Sequence, residues 1–97
     1  MIRHIVLLTF HPETDPSATQ AIVDALDGLP AQIPALRRYE IAADAGLADG
    51  NADLVVIADV DDPQAWADYR DHPAHRRVIE EHILPVLEDR RAIQYEL

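Results

Sequence analysis

The chain has no cysteine and no lysine, and only one tryptophan, one phenylalanine and three tyrosines. Without cysteine there is no disulfide, no thiol nucleophile and no thiolate metal site. No apolar run approaches the roughly 20 residues needed to cross a bilayer. The opening MIRHIVLLTFHP is too short in its apolar part for a secretory leader. His11-Pro12 also stands where a small-residue cleavage site would lie, so the segment is expected to be a strand. Positive charge is scarce too: eight arginines face eighteen acids, giving a formal charge of −10. Such a surface repels nucleic-acid backbones and anionic membranes, so neither is an expected partner. No glycine-rich phosphate loop, nucleotide fingerprint or HExxH pattern occurs. A cytoplasmic location is the expectation that fits these absences.

What is present is one small globular domain, residues 1–97, with 48% hydrophobic residues. Ile2 to Phe10 reads as a strand with apolar residues on both faces. Asp15-Pro16 supplies an N-cap and a proline at the first helical position, and Ala18, Ile22, Leu26 and Leu29 form the apolar stripe of the helix that follows. After the IPAL turn, Arg37 to Ala43 and Leu54 to Val60 read as strands around a Gly46/Gly50 loop. Asp62-Pro63 repeats the helix-starting device for a short helix through Trp66 and Tyr69. His72-Pro73 begins another helix running to about Leu84, where Pro85 ends or kinks it, and Arg91 to Leu97 closes as a strand. The order β-α-β-β-α-β predicts an α+β, ferredoxin-like protomer with a four-stranded antiparallel sheet. Helices would cover one sheet face only, yet Ile5 and Leu7 make the other face apolar as well. A second copy packed sheet against sheet is the expected cover, making a homodimer.

The chemistry-bearing stretch is ADYRDHPAH, residues 67–75, with Tyr69, His72 and His75 inside seven positions. Imidazole alone titrates near neutral pH unperturbed, so the cluster invites a chemical reading. A structural reading stands beside it: His72 caps the helix at Pro73, and His75 packs and bonds a backbone carbonyl. His72 and His75 at i, i+3, with Asp71 or His4, could also approach one ion, but the spacing matches no common metal motif and no metal is expected. His4 shares a strand face with Val6 and Leu8, and a polar ring there needs a partner or lines a cavity. Arg37-Arg38 and Arg90-Arg91 read as surface ion-pairing residues, and His11 and His82 as surface or core-edge residues.

IRHIVLLTF, IPAL, HPAH and the closing LEDRRAIQYEL occur in this order, and together they resemble the stress-responsive A/B barrel (Dabb) family. The resemblance covers nearly the whole chain. It implies a ferredoxin-like protomer and a homodimer whose sheets form a dimeric α/β barrel. A plant polyketide cyclase of that family closes a linear polyketide by aldol condensation without a cofactor. Its catalytic histidine matches His75, its tyrosine Tyr69 and its first-strand histidine His4. The wall of its first helix matches Ile22, Val23 and Leu26. An aspartate that holds its catalytic histidine aligns with Gln94, whose carbonyl would have to bond a ring nitrogen instead. Another of its pocket histidines aligns with Leu54.

The resemblance thus implies a cofactor-free site with His75 as base and Tyr69 as hydrogen-bond donor. The expected pocket is lined by His4, Val6, Leu8, Ile22, Val23, Leu26, His72, Val78 and Gln94, and its expected occupant is a small apolar carbonyl compound. This reading needs a cavity between the first strand, the first helix and the HPAH helix. Solid packing by Ile22, Leu26, Val78 and Ile79 would instead favour a non-catalytic stress-response or binding module. A cofactor-independent monooxygenase is the third reading.

Overall fold

The structure, a computed structural model, describes residues 1–97. Four strands and three helices follow in the order β1 (Ile2–Phe10), α1 (Pro16–Asp27), β2 (Arg38–Ala43), β3 (Leu54–Val60), α2 (Pro63–Asp71), α3 (Pro73–Val78) and β4 (Leu87–Glu96). The strands form one antiparallel sheet in the order β2-β3-β1-β4, the ferredoxin-like arrangement predicted from the element order.

Both Asp-Pro pairs start helices as expected. Asp15 accepts from the Ser17 amide and Asp62 from the Ala65 amide, each at 2.8 Å, with Pro16 and Pro63 inside the first turn. The helices lie on one face of the sheet. Val6, Leu8 and Phe10 of β1 and Leu54, Val56 and Ala58 of β3 meet Ile22, Leu26 and Val78 there, and this is the core.

The opposite face runs through Arg3, Ile5 and Leu7, paired in register with Asp59, Ile57 and Val55 on one side and with Tyr95, Ile93 and Arg91 on the other. No element of the chain covers it. Leu7 is 43%, Ile93 59% and Tyr95 41% exposed. At one end of this face Arg3 grips the buried Asp59 with two hydrogen bonds, 2.8 and 2.9 Å.

Two elements differ from expectation. The final strand begins at Leu87 rather than Arg91, because it pairs along nearly all of β1, from Ile2↔Glu96 to Phe10↔Leu87. As an edge strand, exposed at every position after Leu87, β4 needs no apolar alternation, so its polar first half gave no strand signal. The last helix keeps α-helical form only to Val78. Ile79–Ile83 is a π-helical turn, closed by the Leu84 amide bonding Ile79 oxygen at 2.9 Å. Pro85 has no N–H to return to Glu81, and its ring would crowd that carbonyl, so the chain widens before it.

Candidate functional site

A cavity of about 270 Å³ opens between the helices and the sheet, near the small end of the usual size for ligand pockets. The β1 side chains His4, Val6 and Leu8 and Val56 of β3 form its floor. Leu26 of α1, Ile79 and Ile83 of the π turn, and Leu84 supply an apolar wall. The polar wall comes from Trp66, Tyr69 and Arg70 of α2 and from His75 and Arg76 of α3, with Leu87 and Arg90 of β4 at the side. Ile79 and Ile83 of the π turn line the cavity and also pack with the core, Ile83 as one of its buried members.

His75 comes one turn into α3 and lies against Tyr69, with ring centroids 4.2 Å apart and planes tilted by 31°. Its Nδ1 donates to the Arg70 carbonyl at 3.0 Å. A carbonyl only accepts, so Nδ1 carries the proton and the lone pair of the neutral ring sits on Nε2. Burial pushes the His75 pKa down and nearby Arg76 and Arg90 add to that, while the Arg70 carbonyl pulls the other way. The ring is therefore neutral at neutral pH.

His4 has the opposite tautomer. It is 5% exposed, and its Nδ1 accepts from the Gln94 amide nitrogen at 2.7 Å. An amide N–H₂ only donates, so the His4 proton is on Nε2. Burial first, then the charge of Arg90, pushes its pKa down to about 4. The Tyr69 hydroxyl lies 2.9 Å from that of Tyr39. Burial raises the Tyr69 pKa to about 12, although the bond to Tyr39 and the charge of Arg90 hold it back, and burial raises Tyr39 further still. Trp66 packs edge-on to His4 at 6.0 Å under the Arg70 guanidinium, and its Nε1–H is buried without a partner.

A family model for the stress-responsive A/B barrel domain matches residues 2–97. The chain belongs to the stress-responsive A/B barrel family. Among solved structures, a dimeric ferredoxin-like protein from Thermobifida fusca YX is 43% identical, with a TM-score of 0.91 over 99% of this chain and 90% of that one. A dimeric ferredoxin-like protein from Bacteroides fragilis NCTC 9343 is 20% identical, with a TM-score of 0.86 over 99% and 95% of the two chains. The hydroxynitrile lyase of Passiflora edulis is 14% identical, with a TM-score of 0.83 over 97% and 90%. At these identities the last two share the fold alone. No curated protein matches the chain.

Within this A/B barrel protomer, His4, Val6, Leu8, Leu26, Tyr69 and His75 come together around the cavity. Other residues expected at the pocket take different places. Ile22, fully buried, and Val78 belong to the packed core, and Val23 packs against that core from outside the cavity. His72 caps α3: its Nδ1 accepts from the Ala74 amide at 3.1 Å, and it does not line the cavity. Gln94 does not reach His75. The register His4↔Gln94 gives it to the other histidine, through its amide nitrogen rather than its carbonyl, and a backbone carbonyl orients His75 instead. No three ligating side chains converge anywhere as a metal site.

Trp66, Arg70, Arg76 and Arg90 also line the cavity, at positions that the sequence pattern does not mark. Arg37, Arg38 and Arg91 do make the expected surface ion pairs, with Asp61, Glu40 and Asp89. Arg90 does not. Its register with Leu8 puts it on the helix-facing side of β4, one residue before the Arg91 start that the sequence pattern predicts.

Proposed function

We propose that this A/B barrel protein is a cofactor-free acid–base catalyst acting on a small apolar carbonyl compound, with aldol-type cyclisation of a polyketide-like substrate as the reaction class. The observation that carries this reading is the pair of opposed imidazoles on one cavity. His75 offers a lone pair on Nε2, and His4 offers a proton on Nε2.

A carbon acid flanked by a carbonyl needs both functions at once. His75 Nε2 takes the proton from carbon, and the electron pair moves onto the carbonyl oxygen as an enolate. That oxygen is stabilised by donors already fixed in place. With Tyr39 donating to the Tyr69 oxygen, Tyr69 keeps its own proton for the enolate, and His4 adds a second donor. In an aldol closure the enolate carbon then forms a bond to a second carbonyl carbon, and the proton held on His75 passes to the new alkoxide. The apolar wall keeps water from the enolate, and the charge of Arg90 favours the anion. That one protein of this fold is a hydroxynitrile lyase supports a catalytic use of the scaffold.

The protein works as a homodimer in this reading. Ile5, Leu7, Ile57 and Ile93 form an apolar sheet face that the chain leaves open, and the 43% identical relative is dimeric. Two such faces packed together would close a barrel, leaving each cavity on its helix side.

The test is hydrogen–deuterium exchange at the carbon between the carbonyls of ethyl benzoylacetate, followed by NMR in buffered deuterium oxide. The folded protein is expected to accelerate exchange, and His75→Ala to reduce the enzymatic rate by about 10²–10⁴-fold while leaving a cooperative melt. Exchange no faster than buffer, or equal rates in the variant, would remove the acid–base reading and leave a binding module.

A further inference from the structure

We infer that the cavity is built for an organic carboxylate, with an apolar body against Leu26, Ile79 and Ile83 and its anionic head ion-paired to Arg90. This deepens the proposed function and rests on it for the choice of site. It names the charge that the ligand carries.

The first ground is charge. The chain has eighteen acids and eight arginines, yet the cavity is lined by Arg70, Arg76 and Arg90 and by no acid at all. A random sample of this surface would favour carboxylates. The second ground is pairing. Arg70 has Asp71 at 2.8 Å, and Arg76 has Glu80 at 3.8 Å. Arg90 has no carboxylate partner, because its strand neighbours Asp89 and Arg91 pair with each other at 3.3 Å on the other side of the strand. A guanidinium beside an apolar wall, with its planar fork unfilled, is a ready receptor for a carboxylate.

The position of Arg90 also suits the chemistry. Arg90 lines the same cavity as His4, Tyr69 and His75, so a head group held there shares that space with the two imidazoles.

Trp66 is the only tryptophan, so its fluorescence reports the cavity directly. The experiment titrates the whole protein at neutral pH with 4-phenylbutyrate and with the uncharged 4-phenylbutyramide. The acid is expected to bind about tenfold or more tightly than the amide. Arg90→Gln should remove most of that preference, and Arg90→Lys should retain part of it. Equal affinity for the two probes, an acid preference that survives Arg90→Gln, or no change in Trp66 emission with either probe would overturn the assignment. His75→Ala is expected to keep the acid preference, which separates the two proposals. A protein that prefers the acid but exchanges no carbon-bound proton loses the acid–base reading and keeps the carboxylate site. One that exchanges the proton but shows no preference does the reverse.

Discussion

The two faces of β1 are finished in opposite ways. Toward the helices it presents His4, Val6 and Leu8, an apolar face that is covered but not filled, with polar groups left facing a cavity. Toward the other side it presents Arg3, Ile5 and Leu7, where the polar group is sealed by Asp59 and the apolar side chains lie open. On the covered face, unspent hydrogen-bonding capacity points to a ligand. On the open face, unspent apolar area points to a second sheet. The same physical deficit, a surface without its partner, reads as chemistry in one place and as assembly in the other.

Changing the open face should produce the largest effect. Ile93→Lys places a charge within it, and leaving a charge unpaired in a closed interface costs about 3 kcal/mol or more, over 100-fold in dissociation constant. Sedimentation is expected to show a dimer for the unchanged protein and a monomer for this variant at the same concentration. The Trp66 response to 4-phenylbutyrate should persist, since the cavity lies on the other side of the sheet. Loss of the response together with the dimer would mean the two faces are not independent.

Acid should act on the covered face first. His4 titrates at 6.5 when unfolded and about 4 when folded, so the unfolded chain binds more protons between these values. The stability that His4 contributes is whole above pH 6.5 and is lost as pH falls toward 4, on the order of 2–3 kcal/mol. His75, lowered in the same direction, adds to the slope. Asp59, held low by Arg3, gives up its contribution only as pH falls below 3.8, so the faces separate along the pH axis. Urea denaturation at a series of pH values is expected to show the first loss above pH 4, and His4→Gln to flatten most of it. An unchanged slope in that variant would place the titration elsewhere.

The smallest effect belongs to His72. As a helix cap outside the cavity it should cost about 1 kcal/mol of stability when changed to alanine, with ligand affinity untouched. A loss of affinity at unchanged stability would return His72 to the pocket.

Much of this architecture is legible in the sequence because local rules and global pattern agree. Asp15-Pro16 and Asp62-Pro63 start helices by chemistry that needs no tertiary context, and the doubly apolar β1 and β3 announce a sheet buried on one side and waiting on the other. What stayed hidden depends on register. That Gln94 faces His4 rather than His75, and that Arg90 faces the cavity, follows from the pairing of β4 with β1, which no local pattern in an exposed edge strand reveals. The π turn was hidden for a related reason. Pro85 marks a disruption but not whether the chain breaks, kinks or widens, and the segment it leaves open holds Ile79 and Ile83 of the cavity wall.

The opposed imidazoles can be observed directly. Nitrogen-15 NMR of the ring nitrogens at neutral pH distinguishes the two neutral tautomers of each histidine. The expected result is His75 protonated at Nδ1 and His4 at Nε2, both uncharged, with 4-phenylbutyrate shifting the Nε2 signals of both rings. A charged His75 at neutral pH, or the same tautomer on both rings, would contradict the site as a base facing a donor.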